Sequence, residues 1–332
     1  GELDLPWCVA FLPDGSFLVT VRSGQLLRLD GDDGVTLADV PDTYVAGQGG
    51  FFDVVLDPDF AANRTLYLSF ADGDKRANRT AVLRARLDSD RLRDGEVILR
   101  VEPDKDTPHH YGGRMAFLPD GTLLVTTGEG FSFRDQAQDL NSQFGKTLRI
   151  RADGSVPPDN PYVADGGAAA KVWTWGHRNP QGLAVDAETG TVWLHEHGPR
   201  GGDEVNRLEP ARNYGWPAIT YGVDYSGAQV SPYTEYAGME QPVKYWDPSI
   251  APSGLTVYRG DAFPAWAGNL FVGALKDRDV RRLSIGDDDV VTEERLFAEI
   301  DARIRDIRTG PDGYLYILTD SADGKLLRVR PN

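Results

Sequence analysis

Apolar residues in this chain gather in short β-rich runs, each entered through a tight turn. Phe11-Leu-Pro-Asp-Gly15 leads into Ser16-Phe-Leu-Val-Thr20, Phe117-Leu-Pro-Asp-Gly121 into Thr122-Leu-Leu-Val-Thr126, and Arg308-Thr-Gly-Pro-Asp-Gly313 into Tyr314-Leu-Tyr-Ile-Leu318. Looser copies run from Leu56-Asp-Pro-Asp59 to Leu66-Tyr-Leu-Ser69, from Val185-Asp-Ala-Glu-Thr-Gly190 to Thr191-Val-Trp-Leu194, and from Phe263-Pro-Ala-Trp-Ala-Gly268 to Asn269-Leu-Phe-Val272. Each reads as a hairpin. Downstream of every copy lies a strand carrying one Arg: Leu27-Arg28-Leu29, Leu83-Arg84-Ala85, Leu148-Arg149-Ile150, Asn206-Arg207-Leu208, Arg281-Arg282-Leu283 and Leu327-Arg328-Val329. Six paired motifs predict an all-β, six-bladed β-propeller with four-stranded antiparallel blades, one domain spanning residues 1–332. A β-sandwich does not account for six paired motifs.

Composition supports this and narrows the partners. The 37 Gly and 21 Pro oppose helix interiors and suit turns. Net charge is −16, with 28 Arg against 7 Lys, so a polyanion such as nucleic acid is repelled overall. No apolar run approaches the ~20 residues that cross a bilayer. Cys8 is alone, which excludes an intramolecular disulfide. Asn-Arg-Thr sequons at Asn63 and Asn78 suit a secreted protein, but such short matches more often just mark turns.

Propellers bind ligands with loops at one end of the central channel, and the unusual chemistry falls in the irregular stretches 102–115, 128–146, 153–180, 195–204 and 209–254. All five histidines lie in three segments: His109-His110, His177, and His195 with His197. They suit a transition-metal site or a general base, or simply hydrogen bonds to loop backbone. Strand alternation puts the His195 and His197 rings on one face. Arg114, Arg178, Lys276, Arg303 and Arg305 stand at loops and strand ends of an acidic chain, which points to an anion with several carboxylates or phosphates, or to ion pairs with neighbours such as Asp301 and Asp306. The run from His195 to Asn206 mixes carboxylates with Gly and Pro, which suits a hard cation such as calcium or a polar hairpin loop. Dinucleotide, P-loop and serine-hydrolase signatures are absent.

The combination of Gly47-Gln-Gly-Gly-Phe-Phe-Asp53, His109-His-Tyr-Gly-Gly-Arg114, Gly176-His-Arg-Asn-Pro-Gln-Gly182, His195-Glu-His-Gly-Pro199, Gly201-Gly-Asp-Glu-Val-Asn206, Asn213-Tyr-Gly-Trp-Pro217 and Arg303-Ile-Arg-Asp306 resembles the soluble PQQ-dependent aldose sugar dehydrogenases, grouped with the glucose/sorbosone dehydrogenases. The resemblance runs from about Trp7 to Val329 and implies the same six-bladed propeller. It implies PQQ- and calcium-dependent oxidation of aldoses at C1 to aldonolactones, with electrons passed to an external acceptor. By it, His110 is the base at the anomeric hydroxyl, Gln48 lies beside the substrate, and Arg178 and Asn179 contact the quinone. Lys276, Arg303 and Arg305 hold the PQQ carboxylates. The carbonyls of Gly198 and Pro199 bind the active-site calcium, and Glu204 with the Tyr214 carbonyl a second, structural one. A periplasmic or extracellular location is also implied.

The chain departs from the glucose-oxidising members in three places. His109 stands where they carry Asp, which leaves open what orients His110. Tyr245 or Trp246 is the suggested aromatic cover, with core packing the equal alternative. Reduced loops imply a more open pocket and a monomer rather than a dimer. Two other readings stay open: a lactonase-like metal hydrolase using the His cluster or Asp203 and Glu204, and a non-catalytic binding propeller.

Overall fold

The structure, a computed structural model, describes residues 3–31, 33–286 and 291–331. Its strands form six antiparallel sheets in chain order. Five have four strands, and the last shows three among the described residues: Ile304–Thr309, Leu315–Thr319 and Leu326–Val329. The innermost strands are Pro6–Phe11, Phe51–Leu56, Gly112–Phe117, Pro180–Val185, Pro252–Val257 and Ile304–Thr309. Each touches the next, and the last touches the first, so the sheets are the blades of a closed propeller. The N-terminal segment crosses this closure: the Leu3 carbonyl accepts the Gly324 N–H at 2.8 Å.

The repeated turn and the repeated Arg are two halves of one device. In the turns at Asp14, Asp120 and Asp312, the following Gly has φ of 89°, 78° and 77°, a region that a side chain disfavours. The Asp carboxylate accepts the N–H of Ser16, Thr122 and Tyr314 respectively. Its second oxygen takes the Arg of the third strand: Arg28 at 2.6 Å, Arg149 at 2.5 Å and Arg328 at 3.5 Å. In these three copies the Arg therefore stitches the third strand to the turn before the second.

The core is divided rather than central. One apolar cluster lies between each neighbouring pair of blades, such as Leu18, Phe51 and Phe70 between the first two. Burying apolar area there is worth roughly 25 cal/mol per Å² and holds the ring together.

Every blade carries a register shift between its two inner strands near the same end of the channel. Bulges re-aim side chains beside functional sites. Here the skipped residues include Trp7, Phe52, Gln181 and Arg305, all of which line an axial cavity. Beneath it, charged groups plug the axis: Arg114 Nη1 lies 3.0 Å from Asp306, and Arg308 bridges Asp306 at 3.0 Å and Asp53 at 2.9 Å. Cys8 Sγ donates to Asp53 at 2.7 Å, and burial followed by Asp53 pushes its thiol well above the ordinary range. Asn78 is wholly buried within a hydrogen-bond network, so its sequon is not a surface site.

Candidate active site

The axial cavity measures about 270 Å³. Gln48, Asn179, Arg303 and Arg305 line it together, with Arg22, Asp320 and His197. Alternation around Ile304 puts both arginines on one face, as expected, and both converge on Asp320. Arg303 Nε lies 2.8 Å and Arg305 Nη2 3.0 Å from its carboxylate. Lys276 does not join them. The strand Leu270–Ala274 ends before Leu275, which faces the cavity, while the Lys276 Nζ donates to the Ser249 carbonyl at 2.7 Å.

His110 is tied to the cavity by Gln48, whose Oε1 accepts the His110 backbone N–H at 2.8 Å. Its φ of 51° is left-handed, a strained conformation for a side-chain-bearing residue, which the surroundings hold in place. A Cβ on Gly128 would sit 2.3 Å from the His110 carbonyl oxygen, so only glycine permits this approach. The orienting partner left open by the sequence is Glu129: its Oε1 lies 2.9 Å from His110 Nδ1. Burial pushes the Glu129 carboxyl up to about 7. Burial, then Arg178, holds the imidazole well below its ordinary value. The only trace of Glu129 in the sequence was an acid between two glycines in an irregular stretch.

Arg178 is buried, and its Nη1 donates to the carbonyls of His197 at 3.1 Å and Gly198 at 2.6 Å. Trp216 lies beneath the guanidinium at 5.2 Å. Asn179 Oδ1 receives Gln181 Nε2 at 3.2 Å. Phe131, edge-on to His110 at 5.2 Å, and Tyr225, 6.5 Å from Phe131, form an aromatic wall that sequence reading missed. The suggested cover is corrected accordingly. Tyr245 and Trp246 lie on the outermost strand of the fourth blade, Tyr245 stacked on Tyr221 at 3.9 Å and Trp246 buried with its indole N–H on Glu293.

The other histidines serve the backbone or the packing. His195 and His197 do face one way, and their Nε2 atoms meet the carbonyls of Gly254 and Pro252. His177 sits between Glu196 and Thr174. Among the described residues no three His, Cys, Asp or Glu side chains gather as a metal centre. Asp203 is committed to Gly198, Ser249, Ile250 and Ala251, while the next residue on its strand, Glu204, faces elsewhere. The pair needed for the hydrolase reading is therefore not formed.

Carbonyl-rich backbone does suit a hard cation. A Cβ on Gly198 would lie 2.2 and 2.3 Å from the Gly201 and Gly202 oxygens, so this loop turns carbonyls inward. Glu204, Glu196 and Tyr214, with Arg178 also in the wall, line a space of about 10 Å³, the volume of a single small occupant. Burial, then Glu196, pushes the Glu204 carboxyl well above its ordinary value, which a bound cation would reverse.

The glucose/sorbosone dehydrogenase family pattern matches residues 3–328. The aldose sugar dehydrogenase YliI of Escherichia coli (strain K12) is 45% identical over 99% of this chain and 91% of its own length. The crystal structure of the soluble aldose sugar dehydrogenase from Escherichia coli in the apo-form superposes with a TM-score of 0.95 at 45% identity, covering 99% of this chain and 97% of that one. The PQQ-bound aldose sugar dehydrogenase of Streptomyces coelicolor gives 0.81 at 28% identity, covering 99% and 94%. No helix among the described residues is long and apolar enough to cross a membrane. From its whole length, its six blades and the cavity they enclose, the chain belongs to the glucose/sorbosone dehydrogenase family.

Proposed function

We propose that the protein oxidises aldose sugars at C1 to aldonolactones, with PQQ as resident cofactor, calcium as its companion ion and an external electron acceptor. The observation that carries this is the convergence of Gln48, Asn179, Arg303 and Arg305 on one cavity, with the His110–Glu129 pair fastened to it. Its cations and amides match a polycarboxylate, which fits PQQ. When bound, PQQ supplies a quinone that accepts the hydride leaving C1.

The remaining roles belong to the chain. Arg303 and Arg305 hold carboxylates by charge-assisted hydrogen bonds, with Asp320 fixing their orientation. Lys276 adds long-range attraction from the rim. Arg178 and Asn179 donate toward the quinone side, where Arg178 stabilises developing negative charge. His110 Nε2 removes the anomeric hydroxyl proton, while Nδ1 stays on Glu129. Gln48 fixes the His110 backbone beside the substrate. Gly198 and Pro199 carbonyls would hold the active-site calcium, and Glu204 with the Tyr214 carbonyl the structural one. A monomeric, periplasmic or extracellular enzyme completes the reading.

The test is reconstitution of the apo-protein with PQQ and calcium, followed by reduction of an artificial acceptor across a panel of aldoses. Absence of quinone-dependent reduction overturns the proposal. His110→Ala is expected to lose most turnover while PQQ still titrates its absorbance, whereas Arg305→Met loses that titration.

A further inference from the structure

Among the described residues, three arginines line the axial cavity; two are committed and one is free. Arg303 and Arg305 both lie on the Asp320 carboxylate, at 2.8 Å and 3.0 Å. Arg22, half-buried in the same wall, has no hydrogen-bond, ion-pair or aromatic partner for its guanidinium among the described residues. A cation that faces a cavity with no carboxylate of its own is placed to receive an anion from outside.

Backbone contacts fix where Arg22 stands. It follows the strand Phe17–Val21, in a turn that the Gly24 N–H closes on the Val21 carbonyl at 2.9 Å. Its own N–H donates to the Leu5 carbonyl at 3.1 Å, and the Leu5 N–H to the Ser321 carbonyl at 2.9 Å. Ser321 adjoins Asp320, so these bonds bring Arg22 to the wall that carries Arg303 and Arg305. On its other side the Arg22 stem packs on Gly50, where a Cβ would lie 2.9 Å from the Arg22 Cγ. Gly50 closely follows Gln48, whose Oε1 holds the His110 N–H. Arg22 thus stands between the paired arginines and the Gln48 side of the cavity.

The charge balance of the cavity gives this place a meaning. Lys276, the third cation implied by the resemblance, spends its Nζ on the Ser249 carbonyl and is not in the wall. Without Arg22 the wall would set two cations, partly offset by Asp320, against a tricarboxylate cofactor. We propose that Arg22 is a cofactor-binding residue, which holds a PQQ carboxylate in the place that the resemblance gives to Lys276. The inference rests on the dehydrogenase reading and adds a residue to its cofactor site. A guanidinium suits the task, since it stays charged and its planar fork matches a carboxylate. Having no partner among the described residues, Arg22 also gives up no ion pair there when the cofactor enters.

PQQ titrated into the apo-protein in the presence of calcium, and followed by its absorbance, tests this without turnover. Arg22→Met keeps the aliphatic stem and should weaken PQQ binding roughly 10- to 100-fold, with the melting temperature of the apo-protein unmoved. Arg22→Lys should recover part of the loss, because the charge returns without the fork. Lys276→Met, which removes only attraction from the rim, should cost about twofold. Affinity in Arg22→Met within about twofold of wild type overturns the assignment and leaves the dehydrogenase standing. So does a loss that Lys276→Met carries instead. A loss matched by a lower melting temperature of the apo-protein also overturns it, by making Arg22 a structural residue. If the wild type takes up no PQQ, the dehydrogenase reading falls and the role of Arg22 with it.

Discussion

Glu129 Oε1 lies 2.9 Å from His110 Nδ1, and both side chains are shut away from water. Burial favours the neutral form of each, so the carboxyl rises to about 7 while the imidazole falls well below its usual value. Below pH 7 the carboxyl keeps its proton and donates it to Nδ1, which leaves the ring hydrogen on Nε2 and blocks the base. Above it the carboxylate accepts from Nδ1–H and Nε2 is free.

It follows that kcat/KM rises with pH through about 7. Glu129→Gln should erase this limb and lower kcat roughly 10²- to 10⁴-fold. Stability gives an independent reading. Between the ordinary value of 4.5 and about 7, the folded state holds a proton that the unfolded chain has lost, so wild-type stability falls as pH rises across that window. Thermal unfolding at pH 5 and pH 8 should show this fall shrinking in Glu129→Gln. A fall of equal size in the variant would remove Glu129 as its source.

Lys105 makes the second prediction. Its Nζ donates to Asn78 Oδ1 at 2.9 Å and Thr107 O at 2.5 Å, and sits over the Tyr111 ring at 3.4 Å. Burial lowers its pKa to about 7, against the pull of Glu129 and Asp106. Its positive charge favours ionised Glu129, so Lys105→Met should move the acid limb of kcat/KM upward. Between about 7 and the ordinary 10.5, the unfolded chain holds a proton that the folded state lacks. Wild-type stability should therefore gain on that of Lys105→Met as pH rises over this range. Paired melting curves at pH 7 and pH 10 provide the check.

The fold was readable because its repeat is local chemistry. An Asp that caps its own turn and an Arg that returns to it leave a mark in every strongly repeated copy, such as Asp14 with Arg28. Gln48 and Asn179 were expected from the family resemblance and Arg303 and Arg305 also from strand alternation, and all four line the axial cavity. Glu129 and Asp320 were missed because they reach His110 and Arg305 from 19 and 15 residues away, across turns whose geometry no periodicity reports. Lys276, Tyr245 and Trp246 show the converse. Each has suitable chemistry, but Lys276 lies past the end of its strand and reaches Ser249, while Tyr245 and Trp246 sit on an outermost strand.

Calcium should matter most at Glu204. That carboxyl shares a small space with Glu196, and two buried acids without a cation repel. Millimolar calcium is expected to raise the wild-type melting temperature and a chelator to lower it. Glu204→Gln should respond little to calcium, having lost an anionic oxygen ligand. A full calcium response in the variant would place the ion elsewhere.

The axial plug carries the last prediction. Asp306 is wholly buried, receives Arg114 and Arg308 at 3.0 Å each, and accepts the Val9 N–H at 3.3 Å. Burial alone would raise its carboxyl, but the two guanidinium groups outweigh burial and hold it below the ordinary value. Its stabilisation is thus present above pH 3.8 and lost as pH falls through the folded value. Asp306→Ala leaves two buried cations with only Asp53 between them, and removing one member of such a set costs about 3–5 kcal/mol. Urea unfolding at pH 7 should show that loss, and near pH 3 the variant should lie closer to wild type. Because Cys8 adjoins the same cluster, its thiol should also react faster with a disulfide reagent in Asp306→Ala, at urea concentrations well below the unfolding midpoint. Unchanged thiol reactivity together with a small urea shift would mean that Arg114 and Arg308 are satisfied without Asp306, and that the plug is held by packing against Trp7 instead.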